Sequence, residues 1–425
     1  MTPTQRLLAF AAAPPPVPAP VLARARELIV DTLLVGGAGA SAPGAEEVLA
    51  AARRCSDAAD VPVLGRRTML GAQAAAFANG FQIHCLEWDA VHEGAVVHAL
   101  STVVAAVHAV AHRASAPDPA AARTAIVVGV EIACALGVAA TSPLRFFRPA
   151  TAGLLGAALA CARLAGIAPE RLADVLGLAY SQCAGTMQAH VEGSIALPLQ
   201  IGLAARAAVT AVDLVAAGLT GPHDPLDGPF GYYALFDEGA LAPVAATLGQ
   251  RWRTLEVSYK PWPSGRASHA TLGALAGQRA DTLRRITARV PPLVHRLVAR
   301  PWREDMTPAY ARLCLPFLTA LMLADGRIDP RRFTPANFAD PALRALSARL
   351  EIELDDNPDP NALSPQAFVL ALADGSARSI TVAHTPGSPA NQSPDLLQAK
   401  ARLALELAPD PASVHQSITD FAGSA

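Results

Sequence analysis

Residues 120–139 read AAARTAIVVGVEIACALGVA, a stretch that is apolar on nearly every side of a helix. A helix of this kind is buried at the centre of a larger body. Its most apolar part, from Ala125 to Ala140, contains Glu131 and is shorter than the roughly 20 residues that span a bilayer. Helical periodicity continues on both sides, from Pro20 to about Leu255. We therefore expect a mainly α fold with a large all-helical domain.

The helical domain is predicted to hold a series of helices separated by short polar or glycine-rich loops. Gly36 and its neighbours are expected to end the first long helix, and Ser101 is expected to cap another at its N-terminus. The predicted helices are Val21–Val35, Ala45–Arg54, Gly71–Ile83, Ser101–Ala114, Ala120–Ala139, Gly153–Ala165, Pro169–Met187 and Ile201–Gly218.

After about residue 280, short β-branched runs replace the helical period. Asp374-Gly375 is typical of a hairpin turn between two of these runs. The predicted strands are Ile286–Val290, Val294–Val298, Ala367–Leu372 and Ser379–Ala383, and the predicted helices are Thr307–Ala324 and Leu396–Leu407.

This change of pattern predicts an interrupted helical domain. We expect the all-helical domain over residues 1–258, an inserted smaller α+β lid domain over residues 259–392, and a return to the helical domain over residues 393–425. A cleft between two such domains is a favoured place for a ligand.

Composition narrows the class of protein. Hydrophobic residues make up 52% and charged residues 16%, so a chain of 425 residues can bury a large core. The net charge is −2 with no long basic run, which argues against nucleic-acid binding. Six cysteines form no C-x-x-C pair, a usage typical of the reducing cytoplasm. The apolar run after Arg6 is short and ends at Pro14, so we expect no export signal.

The densest polar segment is HCLEWDAVHEGAVVH, from His84 to His98, with three histidines and three carboxylates. Histidine takes and gives protons near neutral pH, and a neighbouring carboxylate can fix its tautomer. From the spacing alone, a solvated loop whose histidines cap helices is the alternative.

A second polar segment, KPWPSGRASH, runs from Lys260 to His269. Its prolines stiffen the backbone and hold Lys260 on a rigid loop, and Arg266 can bind a carboxylate with two hydrogen bonds. A proline-stiffened linker between domains is the alternative.

Three other motifs give weaker evidence of function. His108 and His112 stand four apart on a predicted helix, which can make a metal pair, but the apolar surroundings favour core histidines. The glycines at 228–231 lack the strand and helix context of a phosphate-binding loop. Ser181, Ser194 and Ser264 are not in G-x-S-x-G settings, so a hydrolase elbow is unsupported.

Taken together, the segments resemble the MmgE/PrpD family, which contains 2-methylcitrate dehydratases, cis-aconitate decarboxylases and an iminodisuccinate epimerase. The matching motifs, in order along the chain, are Asn79-Gly80, His84 to His92, Leu226 to Gly231, the segment with Lys260, Pro261, Pro263, Arg266 and His269, and Ala311 to Phe317. The resemblance implies an all-helical domain with an α+β lid, a homodimer, and no metal or organic cofactor. It places Glu87, His98 and His269 at active-site positions.

The chain departs from the family pattern at positions that bear on the substrate. Leu197 stands where family decarboxylases and dehydratases carry a lysine, and Val91 and Ala90 replace a threonine and an aspartate. A family histidine is replaced near Phe147 and Arg148. Losing the lysine removes a positive charge that can hold a carboxylate, and Arg148 is a candidate replacement.

We therefore predict a cofactor-independent lyase that abstracts a proton next to a carboxylate of a small di- or tricarboxylic acid and then eliminates water or CO2. An isomerase or epimerase of a small dicarboxylate and a non-catalytic relative that binds an acid are the alternatives. The expected catalytic residues are His98, His269, Glu87 and His92, and the expected substrate-binding residues are Lys260, Arg266, Arg148 and Asp89. We expect a cytoplasmic homodimer whose partner is the acid, without nucleic acid or membrane.

Overall fold

The computed structural model describes residues 1–56, 58–114, 118–359 and 362–423. Helices dominate this part of the chain, which confirms the mainly α fold. In chain order they are α1 (Pro3–Ala12), α2 (Ala19–Gly39), α3 (Ala45–Arg53), α4 (Ala72–His84), α5 (Ala99–Arg113), α6 (Pro119–Val138), α7 (Arg148–Leu164), α8 (Leu172–Tyr180), α9 (Gln188–Glu192), α10 (Ala196–Ala216), α11 (Tyr232–Leu235), α12 (Leu241–Ala245), α13 (His269–Leu275), α14 (Pro292–Val298), α15 (Pro308–Ala311), α16 (Leu315–Asp325), α17 (Pro335–Phe338), α18 (Pro341–Ser347), α19 (Pro394–Leu407) and α20 (Pro411–Ala422).

Eight strands accompany them: β1 (Val61–Pro62), β2 (Met69–Leu70), β3 (Val91–His92), β4 (Val257–Ser258), β5 (Leu283–Val290), β6 (Leu350–Leu354), β7 (Gln366–Leu372) and β8 (Ala377–Val382). The first four form two small antiparallel pairs, β1 with β2 and β3 with β4. The sequence predicted no strand before residue 280, because a two-residue strand leaves no periodicity to detect.

The centre of the helical body is α6, as its apolar sequence predicts, packed against α7, α5 and α2. Helices α6 and α10 are long and apolar enough to cross a membrane, but much of each is buried in the protein. Their burial against other helices is consistent with a soluble protein. On the next layer α4 crosses α10 so closely that a Cβ added at Gly80 would lie 2.9 Å from the Cα of Gly202. This contact fixes the end of α4, from which the first polar segment emerges.

Two predicted helix ends are wrong, each for its own physical reason. Helix α2 continues through Gly36 to Gly39, because these glycines serve close packing: a Cβ at Gly36 would lie 2.5 Å from Leu64, and one at Gly37 would lie 2.4 Å from Val414. Helix α5 begins at Ala99 with His98 at the N-cap position, so Ser101 lies inside the helix and does not cap it.

The later part of the chain forms a four-stranded sheet in the order β6-β5-β7-β8, with β5 parallel to β6 and the other pairs antiparallel. The hairpin at Asp374-Gly375 is confirmed. The strand predicted at Val294–Val298 is wrong, since this segment is α14, which begins at Pro292 and buries Val294 and Val298 one turn apart. The single helix predicted at Thr307–Ala324 is two, separated before Pro316.

The last two helices return to the helical body. Helix α19 packs on α2, and α20 packs on α2 and α6. Ala404, Val414 and Phe421 belong to the same hydrophobic core as α6. The sheet and the helices between residues 262 and 372 instead surround two smaller clusters of their own.

Candidate active site

A small cavity of about 100 Å³ lies where the helical body meets the segment that follows residue 260. Valine, leucine, phenylalanine and methionine side chains make up much of the wall. The charged and imidazole side chains on it are Glu87, Glu93, His98, Arg148, His190 and Arg266.

The first polar segment converges on one carboxylate, that of Asp89, which is completely buried. The Nδ1 atom of His84 lies 2.9 Å from Oδ2 of Asp89, and the Nδ1 atom of His98 lies 3.0 Å from the same oxygen. Ser101 donates its hydroxyl proton to this oxygen as well. The Nδ1 atom of His98 makes no aligned hydrogen bond, so its contact with the carboxylate is electrostatic, whereas His84 is hydrogen-bonded to it. Asp89 therefore positions two imidazoles and does not itself line the cavity.

Glu87 joins the two polar segments. Lys260 is fully buried and donates from Nζ to Oε1 of Glu87 at 2.8 Å and to its backbone oxygen at 3.0 Å. Glu87 has a φ of 55°, a left-handed conformation that costs free energy for a residue with a side chain. The two bonds from Lys260 hold the backbone in this conformation and aim the carboxylate at the cavity.

The charges in this cluster balance. Burial disfavours the anion of Glu87, but Lys260, His84 and His98 outweigh burial and lower the pKa of Glu87 to about 2. The two histidines likewise outweigh burial at Asp89 and hold its pKa well below the usual range. Two carboxylates are thus ionised at neutral pH, and two cations are needed to compensate them.

Lys260 supplies one cation and His84 the other. Burial opposes the charged form of His84, but Asp89 and Glu87 more than offset it and raise the pKa of His84. Burial also opposes the charge on His98, and there Lys260 adds to it, so the pKa of His98 is lowered despite Asp89. The neutral form of His98 is therefore the stable one.

Neutral His98 presents a basic nitrogen to the cavity. A carboxylate only accepts hydrogen bonds, so Nδ1, which faces Asp89, carries the proton and Nε2 keeps its lone pair. The Nε2 atom lies 4.0 Å from Oε1 of Glu87, and the His98 side chain is 12% exposed, against 1% for His84. The arrangement can accept a proton at His98 and return it.

The predicted carboxylate-binding arginines are both already paired. Arg266 lies 2.7 Å from Oε1 of Glu93 and also donates to the carbonyls of Thr385 and Pro386. Arg148 forms a two-pronged ion pair with buried Asp237, with distances of 2.9 and 3.0 Å. Both line the cavity, but each brings a carboxylate that compensates its charge.

Two predicted catalytic histidines lie away from the cavity wall. His269 is fully buried, with Nε2 3.3 Å from Oγ of Ser264, an edge contact with Trp262, and an unpartnered Nδ1. Burial and the charges of Arg266 and Lys260 hold its pKa well below the usual range. His92 accepts from the backbone of Ala95 at Nδ1 and lies 3.3 Å from Glu256 at Nε2. The structure brings His98, Glu87, Asp89 and Lys260 together, and it does not bring His92 or His269 to them.

One group of side chains in the described residues has the spacing to hold a metal ion. Donor atoms of His84, Asp89 and His98 lie within 4.8 Å of one another. In this structure Asp89 is instead satisfied by the two imidazoles and Ser101. His108 and His112 contact each other and Phe421 in the core, as expected for packing histidines.

His84, Ser101, His190 and Asp237 were not predicted as site residues from the sequence. His84 stood in the quoted segment, but nothing in its spacing showed that it shares Asp89 with His98. Asp237 is the buried partner of Arg148 from a distant loop, which only the tertiary structure reveals. Leu197, which the resemblance places at a family lysine position, lies on the cavity wall at the start of α10.

Both the earlier and the later part of the chain match domains of one protein family. Residues 8–243 match the MmgE/PrpD N-terminal domain, and residues 262–420 match the MmgE/PrpD C-terminal domain. A cis-aconitate decarboxylase-like protein, oryM, of Aspergillus oryzae is 26% identical over 88% of this chain and 84% of its own. The cis-aconitate decarboxylase of Homo sapiens is 27% identical over 84% of this chain and 77% of its own. That of Aspergillus terreus is 27% identical over 66% of this chain and 59% of its own.

Proposed function

Because the chain belongs to the MmgE/PrpD family, we propose that it is a lyase that removes CO2 or water from a small di- or tricarboxylic acid by proton transfer at a carbon next to a carboxylate. The observation that carries this proposal is the free Nε2 atom of His98 on the cavity wall, behind which Asp89 holds the proton on Nδ1. The similarity to cis-aconitate decarboxylases supports a reaction of the lyase type.

In a dehydration, His98 would take the proton from the carbon next to the carboxylate, the C–O bond would break as the double bond forms, and the leaving oxygen would take up a proton from solvent to depart as water. In a decarboxylation, His98 would first take a proton from solvent; CO2 would leave with the C–C bond broken, and the remaining carbanion would take that proton from His98. Either way His98 changes charge during turnover. The neighbouring anions Asp89 and Glu87 stabilise its protonated form, which is the general role of a carboxylate behind a catalytic histidine.

Glu87 and Lys260 would set the electrostatics of this step. Glu87 reaches the cavity and its charge is matched by Lys260, so no unpaired anion faces the substrate while His98 is neutral. We assign His269 a positioning role: it packs beneath the turn at residues 264–267 that carries Arg266 to the wall. This changes the acid–base pair predicted from sequence, in which His269 was the second member.

The domain boundaries that we propose follow from how the last two helices pack. We propose that residues 259–392 are an α+β lid inserted between residues 1–258 and 393–425, since α19 and α20 pack on the helical body. Movement of this lid would admit substrate, because Gly265, Leu293 and Leu313 line the cavity from its side. A cytoplasmic homodimer remains our expectation, and analytical ultracentrifugation tests the dimer.

The test measures chemistry and proton transfer together. Purified protein is incubated with cis-aconitate, 2-methylcitrate, citrate and malate, while CO2 release and product formation are followed by NMR in D2O. We expect turnover of at least one acid, and a loss of about 10²–10⁴-fold in His98→Asn, the range for removing a general base. The control is Gln188→Ala, which alters an exposed side chain.

Three results separate the possibilities. Deuterium entering the carbon next to a carboxylate with no net loss of CO2 or water indicates an isomerase or epimerase. Binding without any exchange indicates a non-catalytic relative. Undiminished turnover in His98→Asn would contradict the assignment of His98.

A further inference from the structure

A second imidazole, that of His190, lines the cavity without belonging to the Asp89 cluster. It lies on the short helix α9, and no carboxylate in the described residues pairs with it. Its contact is with Arg300, whose Nη2 lies 3.1 Å from Nδ1 and 3.5 Å from Nε2 of the ring. The same nitrogen donates to the backbone oxygen of His190 at 2.8 Å.

This contact lies on the face of the ring. One Nη2 atom cannot be 3.1 and 3.5 Å from the two ring nitrogens while lying along the lone pair of either, so the guanidinium packs over the imidazole. Burial and the charge of Arg300 lower the pKa of His190 to about 4, although Glu87 opposes them. His190 is therefore uncharged at neutral pH and carries one ring N–H that can donate a hydrogen bond.

Arg300 differs from the other cations around the cavity. Lys260, Arg266 and Arg148 are each compensated by a carboxylate, those of Glu87, Glu93 and Asp237. Arg300 forms no ion pair with any carboxylate in the described part of the chain. Its Nη1 is buried without a hydrogen-bond partner, and its guanidinium lies over the ring of Tyr310 at 5.1 Å. The charge that packs on His190 is therefore uncompensated within the described residues.

Further contacts hold α9 against the segment that carries Arg300. Gly193, directly after α9, accepts a hydrogen bond from Thr307 at 2.7 Å, and a Cβ at Gly193 would lie 2.6 Å from that of Tyr310. Helix α9 is therefore docked on the segment that carries Arg300, and the position of His190 depends on that docking.

We propose that His190 is a substrate-contacting residue that donates its ring N–H in a hydrogen bond to a substrate carboxylate, and that Arg300, packed on the ring, is the positioning residue that holds it. Resting on the proposed function, this assigns the two imidazoles of the wall opposite tasks: His98 exchanges a proton, and His190 holds a carboxylate that does not react. The ligand class is a di- or polycarboxylic acid, because one carboxylate must lie at His190 while the reacting carbon lies at His98.

The experiment compares His190→Leu, which removes the donor, with His190→Gln, which keeps an N–H. Isothermal titration with cis-aconitate, citrate, succinate and malate measures affinity, and steady-state kinetics measure KM and kcat for any acid that turns over. We expect His190→Leu to weaken binding of the preferred acid about tenfold or more, the scale for a hydrogen bond to a charged group, and His190→Gln to recover most of it. The control is again Gln188→Ala.

Two measurements distinguish substrate contact from a purely structural role of His190: binding of an altered ligand, and the protonation of the His190 ring. The monomethyl ester of the preferred acid should lose the advantage that wild type has over His190→Leu, because one carboxylate is gone. Nitrogen-15 NMR should find His190 uncharged at neutral pH in wild type, and the pKa of the ring should rise in Arg300→Gln because the cation packed on it is gone. Equal binding by wild type and His190→Leu, or equal weakening in His190→Leu and His190→Gln, overturns the proposal.

The proposed function fails separately. If acids bind but none turns over, the lyase assignment is lost while the affinities still decide the role of His190. If no acid binds wild type, both are overturned.

Discussion

The segments that carry His98 and His269 look alike in sequence and differ in the folded chain. Each is polar, lies beside an apolar helix and ends in a histidine. His98 lines the cavity beside two carboxylates, whereas His269 is fully buried beside Ser264 and Trp262. A sequence motif thus indicates which residues lie together in the fold. Whether an imidazole faces the cavity decides which histidine can transfer a proton to a substrate.

The largest expected effect tests the charge balance on the His98 side. Lys260→Met leaves Glu87 without its cation in a buried place, and we expect a loss of about 3–5 kcal/mol in the free energy of unfolding. Urea denaturation followed by circular dichroism measures it. Adding Glu87→Gln should restore part of the loss, because the unpaired anion is then gone. A double variant as unstable as the sum of both single variants would show that the pair is not coupled.

Next in size is the effect of Asp89→Asn on catalysis. An amide can face His98 with its N–H, which turns the proton to Nε2 and removes the lone pair from the cavity. We expect kcat/KM to fall about 10²–10³-fold, somewhat less than a triad aspartate gives elsewhere. Ser101→Ala, which removes one bond to the same oxygen, is the milder control and should cost less than about tenfold. Equal losses in the two variants would mean that Asp89 acts only through packing.

A variant of His269 tests whether the two histidine segments differ in function. Glutamine can keep a hydrogen bond to Ser264, so His269→Gln should lower kcat by less than about tenfold if the ring only positions the loop. A loss of more than about 100-fold, in a variant with unchanged melting temperature, would show that His269 reaches the substrate when the lid moves. That result would restore the acid–base pair predicted from sequence.

The smallest expected effect is on the pH dependence of stability, and its sign differs between the two segments. The pKa of His269 is lowered on folding, so the unfolded chain binds more protons and acidification below about pH 6.5 destabilises the fold. The pKa of His84 is raised, so its contribution is fully present below about pH 6.5 and is lost as pH rises through its folded value. We expect His269→Gln to flatten the acid loss of stability and His84→Gln to steepen it, each by up to about 1.4 kcal/mol per pH unit. Urea unfolding between about pH 5 and 7.5 measures both slopes; slopes that move in the same direction would contradict the assignment.

Sequence periodicity predicted the helical body well because long apolar helices such as α6 repeat their pattern over many turns. The prediction from periodicity failed where a glycine or a proline can take either of two structural roles. Gly36 was expected to stop a helix and instead allows Leu64 to pack against it, and Pro292 begins a helix where β-branched residues indicated a strand. Local pattern does not record what approaches from another part of the chain.

The candidate site was predictable in its members but not in their pairing. The sequence indicated Glu87, Asp89, His98 and Lys260, which the structure brings together. It also indicated Arg148 as a free cation, and the structure pairs it with Asp237, about 90 residues away along the chain. Charge compensation between distant segments leaves no spacing signal, so the electrostatic state of the site had to come from the fold.

The buried contact of Lys400 has a consequence for how the protein is made. Lys400, on α19, lies 2.6 Å from Asp31 on α2 and donates at 2.9 Å to the backbone oxygen of Trp88, next to Asp89. The loop that orients His98 is therefore held by a residue that the ribosome adds almost 370 positions after Asp31. Nascent chains still lacking α19 would have an incomplete support beneath the loop, so the arrangement around His98 would be complete only after α19 has been synthesised.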